Sequence, residues 1–361
     1  MNYFTYLCFA KYKSEIGSDG KMPGFNLSKP QQLIYDMEKF LGGAVSNIAV
    51  SVFYKNGFDE ELMQRALNAV VETNSSLRIK INSSGGESIQ YFGEFSAETF
   101  PVYFFPCENE FREWAEDFAK KPMDLHGKLY DFAIILIGGN QCGIMFKLHH
   151  LIADAWSIGV LIEKTGECYE KIQKEQSPEP EEHSYADYAA KEGRYINSAR
   201  YQKDRDFWLG QFEKCREITY LSDRISDDSS SRRINRSLSK ELSEKIRNYA
   251  SGNSLSVFGV LLTALSAYIS RVKSRESFYL GTAVVNRSGI AEKKTIGMFI
   301  NTIAILTDLD GSLSFAESAL RISNEYIGAF RHQKYNYSDV LKDIREKYGF
   351  KEKLYDVIIS Y

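Results

Sequence analysis

Hydrophobic and polar positions change their spacing in the middle of the chain, between residues 142 and 169. The run Cys142–Leu148 is apolar with a single charge, a pattern that predicts a short strand. Beyond the polar residues that follow, apolar side chains recur at helical spacing: Ile158, Leu161, Ile162 and Tyr169. The segment His149–Ser157 is therefore expected where a strand ends and a helix begins.

A second helix and strand are predicted further along the chain. Ser256–Leu265 has the apolar density of a buried helix, and Ser277–Val285 has the pattern of a strand. Helices that pack on one face of mixed or antiparallel sheets form a layered sandwich. The sequence therefore predicts the α+β class.

Length and composition divide this fold into two packed halves. A chain of 361 residues with 43% hydrophobic residues predicts about two units. Proline and acidic residues concentrate in Gln176–Glu182, directly after the predicted helix, and mark a join. We expect a first half over residues 1–175, a linker over 176–184 and a second half over 185–361. Ser226–Arg233 predicts a surface loop.

Both ends of the chain are apolar. Asp356–Tyr361 ends within a strand-like run without a turn or polar tail, so we expect the second half to be truncated. The first ten residues lack a basic leader and are followed by Lys11 and Lys13, so neither a signal peptide nor a spanning helix is expected. An extra strand and a docking segment are the two alternatives for them.

Charge and cysteine content exclude several classes of protein. The chain has 45 basic and 48 acidic residues, a net charge of −3, which does not favour nucleic acid or an anionic membrane as a partner. The cysteines are odd in number and form no C-x-x-C pair: Cys8, Cys107, Cys142, Cys168 and Cys215. This argues against a disulfide scaffold or a metal knuckle and predicts a cytoplasmic protein.

The candidate chemistry lies in the histidine doublet. Successive side chains of a strand point to opposite faces, so only one of His149 and His150 is expected to face a cleft. Asp154 and Ser157 stand at the predicted helix start, where short polar side chains cap free backbone N–H groups. A helix N-terminus is therefore expected near the imidazoles.

The doublet has three other interpretations. The structural alternative is a packed pair of histidines at a sheet edge, with Asp154 as a simple cap. A zinc site is disfavoured, because no cluster of Cys, His or carboxylate residues at ligand spacing accompanies the pair. A serine hydrolase is also disfavoured, because the chain has no G-x-S-x-G elbow.

The nonapeptide HHLIADAWS, residues 149–157, resembles the HHxxxDGxS signature of nonribosomal peptide synthetase condensation domains and of the wider chloramphenicol-acetyltransferase-like superfamily. Further segments resemble the family's other motifs, in the family's order: Leu27–Tyr35, Leu77–Arg78, Pro122–Leu125, Tyr185–Ala189, Phe207–Trp208, Ile296–Thr302 and His332–Tyr335. The sequence departs from the family at Pro30 and at Lys334, where an acid is usual. It also has Ala155 where glycine is usual, and this alanine is expected to narrow the site or alter a turn.

The resemblance implies a fold and a reaction. The fold is two acetyltransferase-like α/β sandwich halves in a V with an active-site tunnel at their interface, here with the second half incomplete. The reaction is amide formation, in which the amine of a carrier-bound aminoacyl thioester attacks a carrier-bound acyl or peptidyl thioester. His150 matches the family's proposed base, and an imidazole is able to accept or steer a proton at cellular pH.

The other site residues are expected to support His150. His149 is expected to pack and form hydrogen bonds, and Asp154 to pair with Arg287, for which the alternative is an exposed loop charge. The backbone around Ala155 and Trp156 is a candidate donor to an oxyanion, next to Ser157. Tyr35 and Asn301 are candidates to line the cleft, with ordinary core or turn positions as the alternative.

No metal and no intrinsically bound cofactor are expected, since 4′-phosphopantetheine arrives on partner carrier proteins. Those carriers and an adjacent adenylation domain are the expected partners of a domain that is monomeric in isolation. Because Met1 lies close to the first motif, a starter domain that N-acylates the first amino acid is one option. Two other options are a carrier-binding recruitment domain without catalysis, suggested by Ala155, and a free-standing acyltransferase that uses acyl coenzyme A.

Overall fold

A computed structural model describes residues 24–84, 87–139, 141–222 and 232–361. Over these residues the chain alternates helices and strands and forms two compact units. The first unit runs to Ile196 and also contains Arg287–Phe299, whereas the second contains Asn197–Asn286 and Ile300–Tyr361. The predicted α+β class is confirmed.

The first unit contains most of the strands. Its strands are β1 (Phe25–Asn26), β2 (Asn47–Tyr54), β3 (Ile79–Ser84), β4 (Glu87–Phe92), β5 (Val102–Phe105), β6 (Tyr130–Ile137) and β7 (Gln141–His149). Its helices are α1 (Lys29–Leu41), α2 (Glu60–Thr73), α3 (Glu108–Lys120), α4 (Ala155–Gln173), α5 (Tyr185–Ile196) and, within the returning segment, α9 (Ile290–Lys294), with a 3₁₀ turn at Ser75–Arg78.

The predicted strand and helix around the histidine doublet are both present, as β7 and α4. β7 is a central strand of a sheet with the order β2-β7-β6-β5, and it pairs antiparallel with β2 and β6. Because β7 is covered on both faces, nearly all of its side chains are buried, as the continuous apolar run predicts. The register places Asn47 of β2 opposite His149, which fixes where the strand ends.

Two short polar signals set the ends of helices next to this sheet. The Asp154 carboxylate accepts the N–H of Ser157 at 2.8 Å and caps α4. Ser28 caps α1 in a reciprocal box with Gln31, and Pro30 lies in the first turn, where its missing N–H has no cost. The proline that departs from the family motif therefore suits the helix start.

The second unit is described by α6 (Ala199–Lys214), α7 (Lys240–Gly252), α8 (Val257–Lys273), β8 (Ser277–Val284), β9 (Asn301–Asp308), α10 (Phe315–Arg331), α11 (Tyr337–Tyr348) and β10 (Ile358–Ile359). β8 pairs antiparallel with β9 and parallel with β10. The helix and strand predicted from residue 256 onward correspond to α8 and β8. Most of the predicted loop at Ser226–Arg233, like the first ten residues, lies outside the described residues.

The predicted join at residues 176–184 lies inside the first unit and not between the two units. The physical reason is the packing of α5, whose Tyr185 and Tyr188 rings contact Phe299 and belong to the same core cluster as the sheet around β7. The returning segment Arg287–Phe299 thus adds residues that are distant in sequence to the first core.

No single helix of the described residues is long and apolar enough to span a membrane. Among the described helices, α7 and α8 together have enough length and apolar composition, but the two helices are bent by 103° at the break between them.

Candidate active site

His149 is the buried member of the doublet. It is 1% exposed, and its Nδ1 accepts the N–H of Leu151 at 3.1 Å. Burial, assisted by the neighbouring His150, lowers the pKa of His149 to about 4. The ring is therefore neutral at pH 7, and because Nδ1 is an acceptor, the proton is on Nε2.

His150 is the partly exposed member. Its backbone N–H donates to the carbonyl of Ser46 at 2.8 Å, which extends the β2–β7 pairing by one residue. Its Nδ1 is buried and has no hydrogen-bond partner within the described part of the chain. Burial lowers the pKa of His150, although Asp154 and nearby carbonyl groups favour the charged form. The ring is thus a neutral imidazole with partial access to solvent.

Asp154 and Arg287 form a fully buried ion pair. Arg287 Nη2 donates to Asp154 Oδ1 at 2.9 Å, and both side chains are 0% exposed. Asp154 Oδ1 also accepts from the Ser157 backbone N–H and hydroxyl, each at 2.8 Å, and Oδ2 accepts the N–H of Phe299 at 3.0 Å. This carboxylate is occupied by fixed donors, which favours an orienting role over proton transfer.

Arg287 is held from its other side by the backbone of the same returning segment. Its Nη1 donates to the carbonyl of Thr295 at 2.6 Å and to that of Glu292, and its guanidinium lies 3.9 Å from the Phe299 ring centroid. Burial lowers the pKa of Arg287, and the charge of Asp154 opposes this shift. The pairing that the resemblance implied is present, and the alternative of an exposed loop charge is not.

Segments that are far apart in sequence meet around this pair. The Ser157 hydroxyl oxygen accepts the Gly297 N–H at 3.0 Å, and Tyr185 contacts Ser28 (2.7 Å between hydroxyl oxygens) and the Met298 carbonyl. A Cβ at position 297 would overlap the Tyr185 ring, which explains glycine there. Residues from four of the motif-like segments, 27–35, 149–157, 185–189 and 296–302, therefore belong to one connected network.

Gln31 is a residue whose role the sequence did not reveal. It is fully buried, and its Nε2 donates to the Leu151 carbonyl at 2.8 Å, so it supports the turn directly after His150. It also exchanges hydrogen bonds with Gln90 on β4. The position of Gln31 within the motif-like segment Leu27–Tyr35 was the one sequence feature that indicated a role. The spacing of residues along the chain does not connect α1 with the turn at Leu151.

Ala155 and Trp156 form the exposed start of α4. Ala155 is the first helical residue and does not have a positive φ, so its methyl group fits the local backbone. The local backbone therefore does not require glycine at this position, and narrowing of the site by the alanine methyl group stays a prediction. The Trp156 indole N–H donates to the Lys293 carbonyl at 2.9 Å, and the side chain is 41% exposed.

Tyr35 and Asn301 have the core and turn positions that were the alternative to cleft lining. Tyr35 is 1% exposed, and its hydroxyl contacts Ser83. Asn301 is 5% exposed, and its amide donates to the carbonyls of Gln333 (2.8 Å) and Tyr335 (2.9 Å) in the second unit. Both polar groups are bound within the protein, so neither is open to a ligand.

Groups of three or more histidine, cysteine or acidic residues arranged to hold a metal ion are not found within residues 24–361 as far as these are described.

The sequence profile of the condensation domain family matches residues 24–361. The chain belongs to this family. This condensation domain is 28% identical over 349 residues to surfactin synthase subunit 1 of Bacillus subtilis. The aligned region covers 93% of this chain and 10% of that protein. Tyrocidine synthase 3 of Brevibacillus parabrevis is 26% identical over 345 residues, covering 93% of the chain and 5% of that protein. The domain thus spans a tenth or less of these relatives.

Solved structures support the same fold. The first condensation domain of the CDA synthetase matches with a TM-score of 0.79 at 18% identity, covering 94% of this chain and 82% of that one. A starter condensation domain of rhizomide synthetase matches with a TM-score of 0.81 at 19% identity, covering 93% and 78%. The predicted chloramphenicol-acetyltransferase-like fold is confirmed by this agreement.

Replacement of Asp154 by Asn is expected to destabilise the first unit. The substitution leaves the buried Arg287 charge without its counter-charge, and breaking such a pair costs about 3 kcal/mol. Urea unfolding measures the change. Glu108→Gln is the matched control, because Glu108 pairs with Arg112 on the exposed face of α3 and its loss should cost less than about 1 kcal/mol. A stable and active Asp154→Asn protein would contradict the structural role.

His149 is expected to make stability depend on pH. Its pKa is about 4 when folded and about 6.5 when unfolded, so its contribution is complete above pH 6.5 and is lost as the pH falls toward 4. From pH 7 to about pH 5 this residue should lower the free energy of unfolding by about 2 kcal/mol. Urea unfolding at both pH values should show a smaller difference in His149→Gln than in wild type. Equal differences would argue against a buried neutral His149.

Proposed function

We propose that this condensation domain forms an amide bond between two carrier-bound substrates. The amine of an aminoacyl thioester attacks the carbonyl carbon of an acyl or peptidyl thioester, the new C–N bond forms, and the C–S bond breaks. The released thiolate takes up the proton that the amine loses. The observation that carries the proposal is the partly exposed, neutral His150 beside the start of α4 in a chain of this family.

His150 acts in this proposal as the group that accepts or steers the amine proton. Lowering of its pKa by burial keeps the ring neutral at pH 7, which a base requires. Its Nδ1 is buried, so a substrate proton would be exchanged on the partly exposed side of the ring. Proton transfer of this kind contributes about 10²- to 10⁴-fold to a rate.

The start of α4 supplies the second element. The developing oxyanion of the tetrahedral intermediate requires hydrogen-bond donors, and first-turn N–H groups have no partner within a helix. Ala155 and Trp156 carry such groups and are exposed, a few residues after His150. Asp154 and Arg287 hold this helix start by fixed hydrogen bonds, so the donors are in place before substrate arrives.

The phosphopantetheine arms that deliver both thioesters belong to partner carrier proteins, and an adenylation domain would load the acceptor. These partners are proposed from the family and from the synthetases to which the chain is similar. We also propose a cytoplasmic location. The cysteines among the described residues are free thiols, as a reducing compartment would leave them.

A starter role is proposed as the finer assignment. A starter domain would N-acylate the first amino acid with a fatty acyl donor. Its support is the similarity to the starter condensation domain of rhizomide synthetase, whose structure was determined in complex with C8-CoA. The alternatives are an elongation domain, a recruitment domain without catalysis and an acyltransferase that uses coenzyme A thioesters directly.

His150→Ala should reduce turnover at least 100-fold when the domain is incubated with an octanoyl-loaded donor carrier and an aminoacyl-loaded acceptor carrier. The amide product is detected by mass spectrometry. Because the His150 ring is partly exposed and its Nδ1 has no hydrogen-bond partner within the described residues, the unfolding midpoint in urea should change little. Undiminished product in His150→Ala would overturn the assignment of the base.

The same assay separates the alternatives. Octanoyl amide formation supports a starter domain, whereas product only from an aminoacyl or peptidyl donor supports elongation. Carrier binding without product from any donor supports recruitment. Turnover of octanoyl coenzyme A with a free amino acid, without carriers, supports a free-standing acyltransferase.

A further inference from the structure

Glu38 is a buried carboxylate on α1 that no motif singles out. The residue is 8% exposed, and its Oε2 accepts the hydroxyl of Ser46 at 2.5 Å. A carboxylate removed from water requires such donors, because an unpaired buried charge is costly. Glu38 therefore ties the end of α1 to the start of β2.

Ser46 connects this carboxylate to the candidate base. Ser46 is 4% exposed and directly precedes β2, and its carbonyl accepts the backbone N–H of His150 at 2.8 Å. One residue thus uses its hydroxyl toward Glu38 and its carbonyl toward His150. The position of the His150 backbone depends on where Ser46 is held.

The loop before Ser46 needs such an anchor. It contains Gly42 and Gly43, whose φ angles are 66° and 85°. Glycine adopts positive φ angles freely, and two adjacent glycines allow the backbone of the loop many other conformations. Gly42 N–H donates to the Glu38 carbonyl at 2.8 Å, so the loop is bound to Glu38 by backbone at one end and by the Ser46 hydroxyl at the other.

Glu38 also lies next to the other histidine. Its Oε2 is 3.8 Å from His149 Nε2, which is the protonated nitrogen when Nδ1 accepts from Leu151. This separation is too long for a hydrogen bond. The carboxylate still faces the N–H end of the neutral ring, which electrostatically favours this tautomer.

We propose that Glu38 is a positioning residue for His150, acting through Ser46 and through the ring orientation of His149. The inference rests on the proposed function for its catalytic consequence, while the positioning itself is measurable without turnover. The arrangement holds the polypeptide at the point where β7 ends, so that the His150 ring is presented in one orientation.

The test compares Glu38→Ala, Glu38→Gln and Ser46→Ala. Glu38→Ala and Ser46→Ala remove the hydroxyl–carboxylate bond, so the His150 amide should exchange with solvent at least 10-fold faster, measured against the amide of Ile144 in the middle of β7. Glu38→Gln keeps an oxygen that accepts the Ser46 hydroxyl and should restore most of the protection. In the carrier assay, kcat should fall about 10-fold in Glu38→Ala and Ser46→Ala, with KM nearly unchanged.

Glu181→Ala is the matched control. Glu181 is another glutamate that binds a serine, because its Oε1 accepts the Ser75 backbone N–H at 2.8 Å and the Ser75 hydroxyl. Its removal should leave the ratio of His150 to Ile144 exchange unchanged. If Glu38→Ala does not fold, Ser46→Ala and Glu38→Gln decide the question, because each retains most of the local contacts.

Wild-type protection of the His150 amide in Ser46→Ala would overturn the proposal, as would an equal loss in Glu181→Ala. Full activity of His150→Ala would refute the proposed function instead, and amide exchange would still decide whether Glu38 positions the loop. The two failures are therefore distinguishable.

Discussion

The buried ion pair between Asp154 and Arg287 is the constraint on which the candidate site depends. Taking both charges out of water costs several kcal/mol for each ion, and their attraction offsets this only when further hydrogen bonds satisfy them. The Asp154 oxygens and the Arg287 Nη atoms have such partners. The pair therefore fixes the N-terminus of α4 and keeps the returning segment 287–299 in the first unit.

This constraint explains how two adjacent histidines acquire different roles. β7 continues to His149, whose ring is buried and whose backbone N–H donates to the Leu129 carbonyl at 2.8 Å. One residue later the chain turns toward the cap at Asp154, and the His150 ring remains partly exposed. β7 is covered on both faces up to His149, so the two rings differ because the strand ends there and His150 lies in the turn that follows. The fixed helix start prevents this turn from moving.

Local chemistry was sufficient to predict part of this structure. The apolar run before His149 and the cap at Asp154 are short-range signals, and both predictions are confirmed because strand burial and helix capping depend on neighbouring residues. Arg287 lies 133 residues beyond Asp154, and only the family resemblance indicated the contact. Gln31, Glu38 and Ser46 had no local signal, since their roles arise from packing between elements.

Where the structure differs from the expectations, the local sequence or its motif did not report the surrounding packing. Alanine at position 155 was expected to narrow the site or to alter a turn, and the residue begins α4 without a positive φ, so the backbone there does not require glycine. Tyr35 and Asn301 were candidates for a cleft because of their motifs, but long-range hydrogen bonds place both polar groups inside the protein. The proline-rich segment after residue 176 suggested a boundary, whereas aromatic packing of α5 continues the first unit to Ile196.

The central claim is that His150 is a neutral imidazole that remains accessible to a substrate proton. A ¹⁵N NMR titration of the histidine side chains tests it most directly, with His150→Ala used to assign the signal. The account predicts that His150 titrates with a pKa below the ordinary value of about 6.5 and that one ring nitrogen is unprotonated at pH 7. A pKa above about 7, which would leave the ring largely charged at neutral pH, would contradict it.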